Sequence, residues 1–261
     1  MINPLDNPFP SNKPHISFSE FSNWYECSWR YKLQYVEGID TFENSVYTES
    51  GKAVHAACEN YIKTREMDES ICTEMLEDAW QKFNFKDLEG WKTTCKNMLI
   101  EIPDWLDKTF NDWECVEAEE KLYENIENDS QKFKGFIDAI IKVKQRNKTV
   151  YWLIDWKTTS WGWRRQKKED FRIRMQLILY KKYWSQKHNI PLKDVRCGFG
   201  LLKRTGKQNS RCELIPVSVG PKSLEKADKN IRNMLTFVRK GIFIKNRNSC
   251  MYCGFKNKQC I

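Results

Sequence analysis

Residues 134–157, KGFIDAIIKVKQRNKTVYWLIDWK, decide the fold of this chain. Two β-type runs, 134–144 and 150–157, rich in β-branched and aromatic residues, flank one turn-like stretch, Gln145-Arg146-Asn147-Lys148. A four-residue loop there pairs Lys144 with Thr149 and, counting outward, sets Asp138 opposite Asp155. Their Cβ atoms then stand roughly 4.5–5.5 Å apart on one face of the hairpin. Lys157 shares that face, opposite Phe136. The reverse face carries Ile137, Ala139, Ile141 and Val143 against Val150, Trp152, Ile154 and Trp156, and reads as core. Facing carboxylates repel unless a cation sits between them, and hard oxygen ligands suit Mg²⁺ or Mn²⁺. The plainer alternative is an Asp–Lys ion pair at a strand end, which contributes little on a surface.

Working outward, residues 114–126 form a further β-type run, and 50–113 carry helical patterning, clearest in GKAVHAACENYI and ESICTEMLEDAWQKF. A helix over 17–36 opens with Ser17 or Ser19 as its N-cap. Downstream follow a helix at 170–187, strands near 195–203 and 213–219, and a helix at 222–240. The last has Leu224, Ala227, Ile231, Met234 and Val238 at helical spacing. The tail, 241–261, is basic and Cys-rich. This order suggests an α/β core with a helical insertion at about 60–113. Both chain ends then need tying down.

Composition narrows the function classes. The 261 residues carry a net charge of +9 and 13% aromatic residues, which excludes a disordered solvating chain. No apolar run approaches the ~20 residues of a membrane span, and the N-terminal stretch MINPLDNPFPSNKP lacks a signal-peptide layout. A reducing, cytoplasmic setting is expected, in which Cys clusters are more often metal sites than disulfides. The basic surplus points to an anionic partner, nucleic acid before membrane surface. Of the ten cysteines, Cys58, Cys72, Cys95, Cys115, Cys197 and Cys212 show no ligand spacing and read as small apolar residues.

Three further groups bear on the carboxylate pair. Gly51, His55 and Glu59 fall on one stripe of a helix, so His55 can reach the carboxylates with an imidazole ligand. Gln176 and Tyr180 lie one turn apart on the helix after the hairpin. Between them and the hairpin runs TTSWGWRRQKKEDFRIR, where Arg164, Arg165, Lys167, Lys168, Arg172 and Arg174 are interleaved with Trp161, Trp163 and Phe171. That mixture suits single-stranded nucleic acid, through phosphate contacts and base stacking. It equally suits a solvated helix start with core tryptophans.

In order and spacing these residues resemble the PD-(D/E)XK nuclease superfamily, specifically its RecB-like branch. Gly51-x-x-x-His55-x-x-x-Glu59, Gly135-Phe136-Ile137-Asp138, Asp155-Trp156-Lys157-Thr158 and Gln176-x-x-x-Tyr180 look like its successive motifs, and together they span about half the chain. Ile137 stands where the superfamily's name has Pro. The resemblance implies a single α/β domain over 1–261, a restriction-endonuclease-like core with a mixed sheet flanked by helices, in which His55, Asp138, Asp155 and the Trp156 carbonyl hold Mg²⁺ or Mn²⁺. Asp138, Asp155 and Lys157 would be catalytic, with Lys157 orienting water or stabilising phosphate charge. Gln176 and Tyr180 would contact the DNA backbone, joined by Arg164, Arg165 and Lys167. The 60–113 insertion has no motif to carry over.

Cys27, with Cys250-x-x-Cys253 and Cys260 at the other end, is similar to the cysteine layout of the Cas-four-type CRISPR-associated exonucleases and AddB-type nuclease domains. There one N-terminal and three C-terminal cysteines hold a [4Fe–4S] cluster that staples the two ends. Spacing alone favours Zn²⁺; the resemblance favours the cluster. Ser28 stands where those families often have Pro. The implied function is a metal-dependent DNA exonuclease acting on single strands or DNA ends, in recombination, repair or CRISPR adaptation. A helicase or a CRISPR integrase complex is the implied protein partner. Rivals are a structure-specific endonuclease, a DNA-binding subunit of a helicase-nuclease complex with a vestigial site, and a zinc-stapled interaction module.

Overall fold

Alternation of apolar residues along 132–159 builds a hairpin at the centre of a six-stranded mixed sheet. The computed structural model describes residues 9–251 and 253–260. The start of the Pro- and Asn-rich arm and Tyr252 and Ile261 of the tail lie outside them. The strands are β1 (His15–Ser17), β2 (Glu114–Asn125), β3 (Lys132–Gln145), β4 (Lys148–Thr159), β5 (Val195–Lys203) and β6 (Cys212–Val217). They run in the order β1-β3-β4-β5-β6, with β2 also paired to β3. The helices are α1 (Phe18–Glu26), α2 (Ser28–Tyr31), α3 (Val46–Thr64), α4 (Glu69–Phe83), α5 (Leu88–Leu99), α6 (Ile102–Thr109), α7 (Arg165–Glu169), α8 (Phe171–His188) and α9 (Pro221–Arg239).

The hairpin register follows the expected count, with Lys144 opposite Thr149 and Ala139 opposite Ile154. Its loop is tighter than expected. Gln145 still pairs with Lys148, so only Arg146 and Asn147 turn the chain, with Arg146 in the left-handed region at φ 54°. At the other end the ladder stops at Ala139↔Ile154. β2 lines one edge of β3 from Lys132 to Lys142, while β1 and β4 share the other: β1 pairs Lys132–Lys134 and β4 takes over at Ala139. On that edge Gly135–Asp138 have no strand partner, and β4 leaves β3 to continue alongside β5 as far as Thr159↔Lys203.

Two cores flank the sheet. α8 buries Met175, Leu177, Ile178, Leu179, Tyr183 and Trp184 against Ile137, Ile140, Leu153 and Phe199, joined by α9. α3–α6 bury Val54, Cys58, Leu76 and Leu99 against Ala139, Ile141, Ile154 and Trp156 on the opposite face. Each fully buried aliphatic side chain contributes roughly 1.5–3 kcal/mol. The expected single apolar face of the hairpin is therefore divided. Ile137 joins the α8 side, while Ala139 and its alternates join the α3 side. Alternation breaks at Asp138. The paired strand is irregular there as well: Glu119, between the residues that pair with Ala139 and Ile137, has φ 56°.

The 50–113 region is four helices, each with its own stop. α3 begins at Ser45, whose side chain accepts from the Thr48 N–H at 3.2 Å, and ends at left-handed Arg65. The expected 17–36 helix breaks at Cys27, which is extended at φ −157°. That break turns the Cys27 sulfur toward the tail, where it accepts from the Asn246 N–H at 3.4 Å. Beside it Ser28 Oγ accepts from the Ile244 N–H at 2.7 Å, a contact a Pro at that position could not make. The two chain ends are thus joined by hydrogen bonds.

Candidate active site

The site lies where β3 and β4 splay. Asp138 Oδ2 accepts a 2.7 Å hydrogen bond from the Trp156 backbone N–H, taking the place of a ladder partner. On the α3 side, His55 Nδ1 stands 3.6 Å from Asp138 Oδ2. On the α8 side, Asp155 is buried: Oδ1 accepts from Gln176 Nε2 at 2.5 Å, and Oδ2 is 2.6 Å from Lys157 Nζ. Gln176 Nε2 also donates to the Tyr180 hydroxyl at 3.1 Å. The carboxylates thus meet across the gap, held by helices on opposite faces, and are not a cross-strand pair on one face as the hairpin count predicts. A strand pair requires an intact ladder, and here the ladder has ended one residue earlier.

Two glycines set these approaches. A Cβ on Gly135 would meet Tyr180 at 2.8 Å, so only glycine lets the Tyr180 ring lie against β3. A Cβ on Gly51 would sit 3.2 Å from Thr158 Oγ1, where α3 packs on the end of β4.

Electrostatics follow from burial in the gap. Burial, and then the neighbouring Asp155, push the Asp138 carboxyl well above the ordinary carboxylate range. Burial also raises Asp155, although Lys157 opposes it. Burial alone would lower the Lys157 ammonium, but Asp155 and Asp138 outweigh it and hold the group protonated. His55 is lowered to about 4 by burial and by Lys157, so its imidazole is neutral, the form that can ligate a metal.

The donor set fits a hard divalent cation. Two carboxylates repel across the gap, a neutral imidazole adjoins them, and Asp155 Oδ2 is buried without an aligned hydrogen bond. As the side chains stand, no three His, Cys, Asp or Glu residues converge as a ligand group among the described residues.

A cavity of about 300 Å³ opens beside Asp138, lined by Lys52, His55, Ala56, Glu59 and Glu119. Glu119 is absent from the sequence-derived set. Its neighbours Ala118 and Glu120 pair with Ala139 and Ile137, the residues flanking Asp138, and burial, then Glu59, raise its carboxyl. Nothing in the acidic run ECVEAEEKLYENI distinguishes it, because its left-handed backbone at a non-glycine residue has no sequence signal.

The residues expected on DNA separate into two groups. Gln176 and Tyr180 are buried and hold Asp155 in place. Arg164 caps α7, an exposed short helix absent from the sequence reading. Arg165 pairs with Glu169 at 2.8 Å, Lys168 with Glu213 at 2.7 Å, and Arg172 with Glu26 at 2.7 Å. Lys167 is close enough to Lys157 to be lowered by it, burial being the larger cause, and lies over the Trp163 ring at 4.5 Å. Trp163 packs into the core against Phe199, whereas Trp161 is 71% exposed.

Cys27, Cys250, Cys253 and Cys260 line one cavity of about 370 Å³, with Trp29, Leu33 and Phe255 among its apolar walls. All four are partly exposed free thiols. By contrast Cys58, Cys72, Cys95 and Cys197 are buried.

Comparison with known proteins bears on this arrangement. A family model of the PD-(D/E)XK nuclease superfamily matches residues 15–258. A crystal structure from Eubacterium rectale, described as a "putative exonuclease", superposes with a TM-score of 0.61 at 14% identity, covering 94% of this chain and 89% of that one. That likeness is one of fold. No curated protein matches the chain.

Proposed function

The chain belongs to the PD-(D/E)XK nuclease superfamily, and from that premise we propose that it is a Mg²⁺- or Mn²⁺-dependent DNA exonuclease. It hydrolyses phosphodiester bonds on single strands or at DNA ends. One observation carries the reading: Asp138 and Asp155 converge from opposite sides of the β3–β4 gap, with a protonated Lys157 and a neutral His55 beside them.

His55, Asp138, Asp155 and the Trp156 carbonyl would hold the divalent ion. When bound, such an ion supplies an acidified water and offsets charge developing on the phosphate. The Trp156 N–H fixes the Asp138 carboxylate, and Gln176 fixes that of Asp155. Lys157, cationic and 34% exposed, can turn from Asp155 toward the phosphate and stabilise the charge that builds there. Residues on α3 and α8 orient the site from both faces, so small shifts of either helix alter its geometry.

In this reading the protein lies in the RecB-like branch, near the Cas-four-type exonucleases and AddB-type nuclease domains. Cys27, Cys250, Cys253 and Cys260 hold a [4Fe–4S] cluster, with Zn²⁺ as the alternative metal. Support comes from their shared cavity and from the N–H···S hydrogen bond on Cys27, an interaction that tunes cluster thiolates. DNA end processing in recombination, repair or CRISPR adaptation is the corresponding role, with a helicase or CRISPR integrase complex as partner.

The test compares end-labelled linear single strands with circular single strands in Mg²⁺ and in Mn²⁺. Exonuclease action degrades the linear strand and leaves circles intact. Cut circles would make the protein an endonuclease, and no cleavage of either with both metals would overturn the reading.

A further inference from the structure

The face of the sheet opposite α8, upstream of Asp138, carries a distinctive set of side chains. Ile16, Leu122, Phe133 and Ile137 point into the α8 core, so their alternates lie on the other face. Register places Tyr123 beside Lys134 and Lys121 beside Phe136, with His15 beside Lys132. Contacts agree: Lys132 Nζ lies 5.0 Å from the Tyr123 ring centre, Lys121 Nζ 5.7 Å from the same ring, and Lys134 Nζ 5.6 Å from that of Phe136. His15 meets the Tyr123 ring edge-on at 5.7 Å.

Two features distinguish this face from an ordinary solvated surface. Phe136 and Tyr123 remain 41% and 36% exposed, although apolar area buried elsewhere in the molecule is extensive. And Lys121, Lys132 and Lys134 form no ion pair among the described residues, where the nearby carboxylate of Glu20 is taken by Lys13 at 3.5 Å. In the α7 region, by contrast, Arg165, Lys168 and Arg172 are already paired.

We propose that this face is the track along which a single polynucleotide strand reaches the catalytic gap, with Lys121, Lys132 and Lys134 on its phosphates and Tyr123 and Phe136 stacked on its bases. The inference rests on the nuclease reading and specifies how its substrate lies. Alternate residues of a strand rise about 6.8 Å, so the row Lys132, Lys134, Phe136, Asp138 runs straight into the site over about 20 Å. Two cations, then a ring, then the carboxylate of the site follow one another along it. Stacking requires unpaired bases, which fits a single strand and not a duplex. The open edge of Gly135–Asp138 leaves the last step of the track clear of any strand partner.

The test measures anisotropy of a fluorescein-labelled dT20 probe in chelator, so that no cleavage interferes, across a series of salt concentrations. Changing Lys121, Lys132 and Lys134 together to Ala should make the slope of log affinity against log salt shallower by about 2, since each lost phosphate contact on a single strand removes about 0.7. Lys→Arg at the same positions should restore it. Phe136→Ala and Tyr123→Ala should weaken binding with the slope unchanged. A control triple change at exposed Lys86, Lys222 and Lys229, equal in charge, should leave the slope at the wild-type value. If the first triple variant keeps the wild-type slope while the wild-type protein cleaves, the track is wrong and the nuclease reading stands. If the slope falls as stated but no metal supports cleavage, the track stands and the nuclease reading fails. Wild-type protein that binds no dT20 overturns the track.

Discussion

The Asp138 carboxylate accepts the Trp156 backbone N–H at 2.7 Å, two residues beyond the last ladder pair between their strands, Ala139↔Ile154. A side chain replaces a backbone carbonyl as the acceptor at the point where the sheet opens. The bond satisfies a donor that splaying would otherwise leave unpaired.

Buried like charges across that gap make stability depend on pH in a definite direction. Asp138 and Asp155 both have native pKa values raised above those of the unfolded chain, so the native state holds protons more tightly. Their stabilising contribution is present at low pH and is lost as pH rises through the raised values. Asp138→Asn keeps the acceptor for Trp156 but carries no charge. In chelator its melting temperature should gain on wild type as pH rises from 5 to 8, by about 2–4 °C for each ~1 kcal/mol of relieved repulsion. Added Mn²⁺ should close that difference. A melting difference independent of pH would contradict the electrostatic account.

Lys157 is tied to Asp155 at 2.6 Å and is held protonated. Lys157→Ala should lower kcat by about 10²–10³-fold, the loss typical of one charge-stabilising donor. Mn²⁺ affinity, read by titration calorimetry, should change little. A collapse of metal binding would mean that Lys157 organises the ligands and does not act on phosphate.

Gln176 donates to a buried carboxylate oxygen, a bond worth about 1.5–3 kcal/mol when the acceptor is charged. Gln176→Leu should therefore lower kcat by about 10- to 100-fold with KM for DNA unchanged. A raised KM at unchanged kcat would instead place Gln176 on the DNA strand.

These residues show how far the sequence can be read. The hairpin register was legible because turn chemistry and alternation agree from Val143 to Val150 outward. The break at Asp138 was not, since counting along a strand presumes a continuous ladder, and the left-handed backbone of Glu119 in the neighbouring strand has no sequence signal either. The motif spacing did place His55, Asp138, Asp155, Lys157, Gln176 and Tyr180 in one neighbourhood. It did not reveal that Gln176 and Tyr180 are buried, because burial depends on α8 packing across the whole sheet. The three-residue strand β1 escaped notice in a Pro-rich arm, since its pairing with β3 is entirely non-local. The break of the first helix at Cys27 likewise follows from the distant Asn246 and Ile244.

The cysteine cavity gives a prediction independent of catalysis. Protein made and purified without oxygen should be brown and carry one [4Fe–4S] cluster, counted by iron and sulfide analysis. Cys250→Ala should bleach it and lower the melting temperature, because the cluster joins chain segments far apart in sequence. Cys58→Ala, in the α3 core away from the cavity, should keep the colour. Colourless anaerobic protein with one equivalent of zinc would replace the cluster by Zn²⁺ and leave the nuclease site untouched.

The central claim is that the gap between Asp138 and Asp155 is a divalent-metal centre for phosphodiester hydrolysis. Its most direct test is the rate of cleavage of an end-labelled single strand in Mn²⁺, in excess chelator, and after Mn²⁺ is restored, for wild type, Asp138→Ala and Asp155→Ala. The account predicts wild-type cleavage that stops in chelator and returns with Mn²⁺, and none from either variant at any Mn²⁺ concentration. Cleavage that continues in excess chelator, or a variant that cleaves at the wild-type rate, would contradict it.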